Sequence, residues 1–380
     1  KEEDTLAFRR WIVVRHEGIG DLFGGWTAAL RKKYPGLYTN TMLMHWAHAY
    51  SFLTETGIPV DVMGSRGGIG ELGSDYMGPY GVRMAAAANG WRRATMLYAG
   101  NLGSAEPDIH YYATTLWNWM YGGASVNYWR LNWILSGPKA DGVGASAGAV
   151  AKAYRMSADL EALGAWEARP PKKIALLSSR ASIDWWQVKS WWGTGGDLSW
   201  DRGLEGQRGW FADETAFNIL RENGRAFDWF FLDQDDRLPD LGEYAVLVAP
   251  FARSVSRRAA EAVRGAVSRG ATLILLDGRT GETDEWGEPY PAPVFKDLAD
   301  AGKAVVMGED ILAWGATDAF AGRLLAAVDA RLGAQNPLRT ERYGSKIDAT
   351  ILERPSGEKF LFLVNWEDRP ATVDLSVAAA

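Results

Sequence analysis

Four carboxylates stand in predicted loops of the first 135 residues, Glu71, Asp75, Glu106 and Asp108. Paired carboxylates are what cleaves a glycosidic bond: one protonates the leaving oxygen while the other attacks the sugar or activates water, the two lying roughly 5 to 9.5 Å apart. Asp75 and Asp108 also fall where helix N-caps are expected, a role in which a side-chain oxygen accepts backbone N–H groups.

Other chemistries lack a necessary part. Gly144-Ala145-Ser146-Ala147-Gly148 matches the G-x-S-x-G elbow of serine hydrolases, but that triad needs a later His and the last in the chain is His110. Gly68-Ile69-Gly70-Glu71-Leu72-Gly73 matches G-x-G-x-x-G after a strand. The acid that would hold a ribose is missing, because the region about 20 residues on reads Gly90-Trp91-Arg92-Arg93. These failures set aside an α/β hydrolase and a dehydrogenase. His45 and His48 are three apart on a predicted helix without a third ligand, and His16-Glu17 lacks the second His of H-E-x-x-H. No metal and no cofactor is therefore expected. The chain has no Cys, which removes disulfides and thiolate chemistry alike.

Composition narrows the partners. The chain has 380 residues, 23% charged and 47% hydrophobic, with a net charge of -6. It contains no block of Lys or Arg to attract nucleic acid and no run near the roughly 20 apolar residues of a membrane span. Neither nucleic acid nor membrane is an expected partner. Of the 19 Trp residues, 16 lie at or before Trp229. A single Trp is most simply core packing, whereas the excess as a population favours a flat, weakly polar ligand such as a sugar.

The elements that must position these groups alternate. A helix over residues 6–34, with Phe8, Trp11, Ile12, Leu22, Phe23, Trp26 and Leu30 on an apolar side, ends at Pro35-Gly36. Strands follow at 37–43, 59–63, 93–98 and 125–131, separated by helices at 45–56, 75–89 and 109–121, with a closing helix at 147–163. Each helix returns the chain for a parallel strand, so the strand ends share one face. Those ends read Asn40-Thr41, Gly64-Ser65-Arg66, Tyr98-Ala99-Gly100-Asn101 and Trp129-Arg130-Leu131-Asn132. Four such units are half of the eight in a closed (β/α)8 barrel.

Pro170-Pro171 marks an expected linker. Short continuous apolar runs then follow at 173–178, 226–232, 244–249, 272–276 and 304–307, as in strands buried on both faces. A helix is expected over 256–269, closed by Gly270, and a long Gly-rich surface loop over 193–209. This second part holds neither Cys nor His, so it cannot run Cys-His-Glu amidotransferase chemistry. From Arg339 the period becomes two: Ile347, Ala349 and Ile351, then Phe360, Phe362 and Val364, turn at Pro355-Ser356-Gly357, which opens an antiparallel β segment.

The order of these parts resembles the bacterial β-galactosidases of glycoside hydrolase family 42. The resemblance is carried by Phe8-Arg9-Arg10-Trp11 through Tyr34-Pro35, by Gly122-Gly123-Ala124-Ser125-Val126-Asn127-Tyr128-Trp129-Arg130, by Lys173-Ile174-Ala175-Leu176-Leu177-Ser178-Ser179-Arg180 with Asp184-Trp185, and by Asp277-Gly278-Arg279-Thr280-Gly281 with Asp284-Glu285. It implies an α/β chain in three parts. Residues 1–168 would be strands five to eight of the barrel. Residues 172–335 would be a flavodoxin- or amidotransferase-like doubly wound trimerisation domain, and 339–380 the start of a C-terminal β domain.

The resemblance further implies a carbohydrate partner, a homotrimer, and hydrolysis of a β-galactoside by the complete protein. The family's acid/base Glu would lie before Lys1. Its nucleophile position falls on Tyr98, or on Ala99 if the match slips by one. A Tyr serves as nucleophile in sialidase-type sites beside a base, and none is evident next to Tyr98; Glu71 is the remaining catalytic candidate. Asn101, Trp129 and Trp133 would line the sugar site. The chain alone is thus expected to be an inactive fragment, the alternative being a non-catalytic carbohydrate-binding or assembly protein on a glycosidase scaffold.

Overall fold

The computed structural model describes residues 2–36, 40–43, 62–67, 83, 86–87, 94–99, 115–123, 125–128, 147–182, 204–232, 238–308, 318–335, 338–340, 347–365, 372 and 375–377. Helix α1 (Glu2–Lys33) precedes four strands, β1 (Asn40–Leu43), β2 (Val62–Gly67), β3 (Ala94–Ala99) and β4 (Ser125–Tyr128). These form one parallel sheet in sequential order β1-β2-β3-β4, the order produced when each strand is followed by a right-handed return on the same side.

Three expectations shift here. Asn40 and Thr41 open β1 rather than close it, so they lie at the amino edge of the sheet. Gly64, Ser65 and Arg66, read as the start of a loop, are strand: Gly64 and Ser65 pair with β1 on one side and β3 on the other, Arg66 pairs with β3, and the two ladders at Gly64 outweigh the poor strand preference of glycine. On α1 the residues Trp11, Leu22, Trp26 and Leu30, expected to face inward, are 43% to 55% exposed, whereas Thr27 is buried.

Helix α2 (Ala147–Ala162) leads through a short 3-10 turn to Pro170 and Pro171. Both prolines are buried, and Arg169 exchanges backbone hydrogen bonds with Glu353, N–H to O at 2.9 Å and 2.7 Å. The expected linker is thus paired chain and not an exposed tether.

The second sheet contains β5 (Ile174–Ser178), β6 (Asp228–Phe231), β7 (Val246–Ala249), β8 (Thr272–Leu275) and β9 (Ala304–Val306), all parallel, in the order β6-β5-β7-β8-β9. Its connecting helices include α3 (Leu204–Glu222), α4 (Arg257–Ser268) and α5 (Lys296–Asp300), and α6 (Asp318–Leu332) follows β9. Alternate strand residues enter two different cores. Ile174, Leu176, Val246, Val248 and Ile274 join one, while Ala175, Leu177, Leu247, Leu273 and Leu275 join the other. Continuous apolar runs are what a sheet covered on both faces requires.

Helix α4 starts where Ser256 Oγ accepts the Ala259 N–H at 3.0 Å and stops at Gly270, whose φ of 102° suits a residue without Cβ. Helix α3 corrects the loop expected over 193–209, since it begins at Leu204. Gly206 and Gly209 cost helix stability, but the packed residues Ala212, Ala216, Phe217, Ile219 and Leu220 hold it against the sheet.

The β segment follows with β10 (Leu338–Thr340), β11 (Ile347–Glu353), β12 (Lys359–Asn365) and β13 (Leu375–Val377). The pair β11-β12 is an antiparallel hairpin through the expected turn, and β10 pairs with β13. Leu352, Phe362 and Val364 enter the same core as Trp119, Met120 and Tyr121 of the chain before β4 and Phe217 of α3. At their meeting point Asp348 of β11 accepts the Trp117 Nε1–H at 2.7 Å, and both its oxygens accept from Arg221 Nη1 of α3 at 2.5 Å.

Candidate functional site

Parallel pairing brings the carboxyl ends of β1 to β4 to one edge, and that edge is where such a scaffold presents ligands. Leu43 of β1 registers with Ser65 of β2, which registers with Leu97 of β3 and through it Val126 of β4. One residue further, Tyr98 registers with Arg66 on one side and Asn127 on the other; the last row is Gly67, Ala99 and Tyr128. Both positions that the resemblance marks for a nucleophile are therefore at the carboxyl end of β3, and neither carries a carboxylate.

Of the residues singled out in the sequence, Tyr98 lies in β3. Glu71, Asn101, Trp129 and Trp133 lie outside the described residues, as do Asp75, Glu106, Asp108, His45 and His48. Sequence reasoning placed Arg66 at a strand end and Asn127 in a segment of the resemblance but gave neither a role, because only the register of three strands puts a cation, a phenol and an amide in one row.

In the second sheet the strand order reverses between β5 and β7, the place where open α/β sheets usually bind ligands. Here the crevice is occupied by its own side chains. Ser179 Oγ donates to the Ser254 carbonyl at 2.5 Å, Ser182 Oγ lies 2.9 Å from Ser179 Oγ, and the Ser254 N–H donates to Ser182 Oγ at 2.8 Å. All three serines are buried. Arg253 closes the next strand end with an Nε–H bond to Asp277 Oδ2 at 2.6 Å. The serine hydroxyls and the Arg253–Asp277 pair fill the crevice with the chain's own contacts, although Arg180 Nη1 and Arg253 Nη1 are buried there without a well-formed hydrogen bond.

A buried carboxylate lies on α3, which packs against this sheet. Asp213 of α3 is 1% exposed and neither carboxyl oxygen has a well-formed hydrogen bond. Burial pushes its pKa well above the usual carboxylate range, with the nearby Ser178 hydroxyl opposing. Ser178 in turn accepts the Trp229 Nε1–H at 2.7 Å. The adjacent Glu214 is pushed up to about 7 by burial, against the pull of Arg221. Among the described residues no three His, Asp or Glu stand close enough to hold a metal ion, and no described helix is long and apolar enough to cross a membrane.

No family model matches the sequence, and no curated protein matches it. Solved structures do match the fold. The apo exo-carrageenase of glycoside hydrolase family 42 from Bacteroides ovatus superimposes on 98% of this chain and 52% of its own, at 14% identity and a TM-score of 0.61. A β-galactosidase from Bacillus circulans sp. alkalophilus matches 77% of this chain and 43% of its own, at 14% identity and a TM-score of 0.52. A β-galactosidase from the Antarctic haloarchaeon Halorubrum lacusprofundi matches 77% and 45%, at 19% identity and a TM-score of 0.52. The chain spans about half the length of these structures. The likeness carried by the motifs is thus a likeness of fold: the chain has the α/β scaffold of these glycoside hydrolases, with the β1 to β4 sheet as the second half of a (β/α)8 barrel.

Proposed function

We propose that this chain is part of a glycoside hydrolase that cleaves a β-linked sugar, with a β-galactoside as the substrate class. The observation that carries the reading is the order of sheets: four sequential parallel strands, a doubly wound sheet and an antiparallel hairpin, matched over 98% of the chain to a family 42 structure. On this reading residues 1–168 carry the second half of the barrel and 172–335 an assembly domain in a homotrimer. The packed crevice between β5 and β7 supports a structural role for that domain. Residues 339–380 begin a further β domain.

Tyr98 occupies the nucleophile place at the end of β3, with Glu71 as the candidate acid and Asn101, Trp129 and Trp133 as sugar contacts. On this reading the family's acid/base Glu has no counterpart among the 380 residues. The test is the upstream reading frame together with the complete protein. Four further strand-helix units, the last strand ending in Asn-Glu, and hydrolysis of aryl β-galactosides abolished by Tyr98→Phe or Glu71→Gln are expected. An upstream frame without those units refutes the reading.

A second reading is favoured by one observation, the phenol in place of a carboxylate at position 98. It makes the complete protein a carbohydrate-binding or assembly protein that has lost its catalytic pair. Retained glycan binding without any turnover by the complete protein is its signature, and measurable hydrolysis sinks it.

A further inference from the structure

Helix α1 turns an apolar face outward. Trp11, Val14, Leu22, Trp26 and Leu30 are 43% to 63% exposed, and Gly18, Gly25 and Ala29 among them are exposed as well. Placed at about 100° per residue, these positions share one arc of roughly 160°, and the buried Thr27 lies outside it. Among the described residues of α1 that arc carries no charge before Lys32 and Lys33. Five half-exposed apolar side chains at roughly 100 Å² each make about 500 Å², at the upper end of what a monomer leaves uncovered.

The two glycines are a second, independent sign. A Cβ built on Gly18 or Gly25 meets no atom within 4 Å, so the chain's own packing has room for a side chain there. Glycine inside a helix costs about 1 kcal/mol relative to Ala, and what it permits in return is close approach to the bare backbone. The helix ends supply a third. Helix α1 opens with Glu2-Glu3-Asp4 and closes with Arg31, Lys32 and Lys33. These charges suit the helix macrodipole, and they also make α1 complementary to a reversed copy of itself, acidic end beside basic end.

We propose that the exposed face of α1 is a self-association surface, which pairs antiparallel with α1 of a second copy about a two-fold axis at Gly18. In that register Trp11 of one copy lies over Gly25 of the other, Val14 meets Leu22, and Glu3 and Asp4 come level with Lys33 and Lys32. A two-fold contact uses the same patch twice, so the pair hides roughly 1,000 Å², the size from which specific association begins. This contact is separate from the trimer contact proposed for residues 172–335.

The test is sedimentation equilibrium of the full 380-residue chain over a range of concentrations. Reversible association into an even number of copies is expected, two where α1 alone pairs and six where the trimer contact forms as well. Gly18→Glu sets two carboxylates face to face at the axis, weakens association about a hundredfold or more, and leaves one or three copies. Because the position is open in the single chain and Glu is the better helix former, the circular dichroism of that variant stays that of the unaltered chain. Cross-linking reads the register, since the chain has no Cys of its own. Gly18→Cys closes an intermolecular disulfide on mild oxidation, whereas Ala29→Cys, about 33 Å from its counterpart in the antiparallel pair at 1.5 Å per residue, does not. An unaltered chain that stays single or trimeric at about 100 µM overturns the proposal, as does association that Gly18→Glu leaves intact or equal cross-linking at the two cysteines. The upstream reading frame, which decides the glycosidase reading, is independent of all these results.

Discussion

Replacing Asp348 by Ala removes three contacts to two partners at once. The carboxylate is 2% exposed; it accepts the Trp117 indole N–H at 2.7 Å and two contacts from Arg221 at 2.5 Å. Arg221 keeps Glu222 at 2.9 Å, but that side chain is 32% exposed and holds the guanidinium from the solvent side. Breaking one side of a buried pair costs about 3–5 kcal/mol, and leaving an indole N–H unsatisfied costs about 1–3 kcal/mol. The retained Glu222 offsets part of this, so a loss of about 3–4 kcal/mol is expected for Asp348→Ala. Against a total stability of roughly 5–15 kcal/mol, that is a large fraction. Asp348→Asn keeps an acceptor for Trp117 and loses less. The double replacement Asp348→Leu with Arg221→Met recovers most of the loss, because no charge is then buried without its partner. Urea titration followed by tryptophan fluorescence and far-ultraviolet circular dichroism measures each value. A cost below about 1 kcal/mol for Asp348→Ala, or a double variant no more stable than that single one, refutes the reasoning.

Two other perturbations have definite signs. Because burial raises the pKa of Asp213 in the folded chain, the native state holds its proton more tightly than the unfolded one, so stability falls as pH rises above the unfolded carboxylate value of about 3.9. Asp213→Asn therefore stabilises the protein at pH 8 more than at pH 5, by about 1–3 kcal/mol, and equal melting shifts at the two pH values refute it. Glu214 adds a smaller slope of the same sign up to about pH 7, which persists in that variant. Ser256→Ala removes the acceptor for the Ala259 N–H at the start of α4 and lowers stability by about 1 kcal/mol; an unchanged urea midpoint rules out the cap as a contributor.

The second sheet was the most legible part. Strands buried on both faces must be apolar without interruption, so β5 to β9 announced themselves as short runs, and α4 was bounded by Ser256 and Gly270. The hairpin β11-β12 was equally readable from its period of two. Helix α3 was not, because Gly206 and Gly209 argue locally for a loop while the packing that overrules them lies in the sheet. Likewise β2 runs through Gly64, which pairs with β1 and β3, and on to Gly67, which pairs with β3. In the candidate site, Tyr98 could be placed at a strand end, but its row could not: Arg66 and Asn127 become its neighbours only through parallel register. The node at Asp348 was beyond reach for a similar reason, since Trp117 and Arg221 are 231 and 127 residues away along the chain.

The buried pair Pro170-Pro171 bears on how the strand-end face can move. Two prolines fix their own φ angles, and the residue before them is held by both backbone bonds to Glu353. Swinging the first part of the chain away from the second at this point would break those bonds and open a core to which α3, β6 and the β11-β12 hairpin all contribute. Bending there is therefore resisted from several sides, as in a riveted joint. The joint thus serves as a fixed frame for the chain on either side of it.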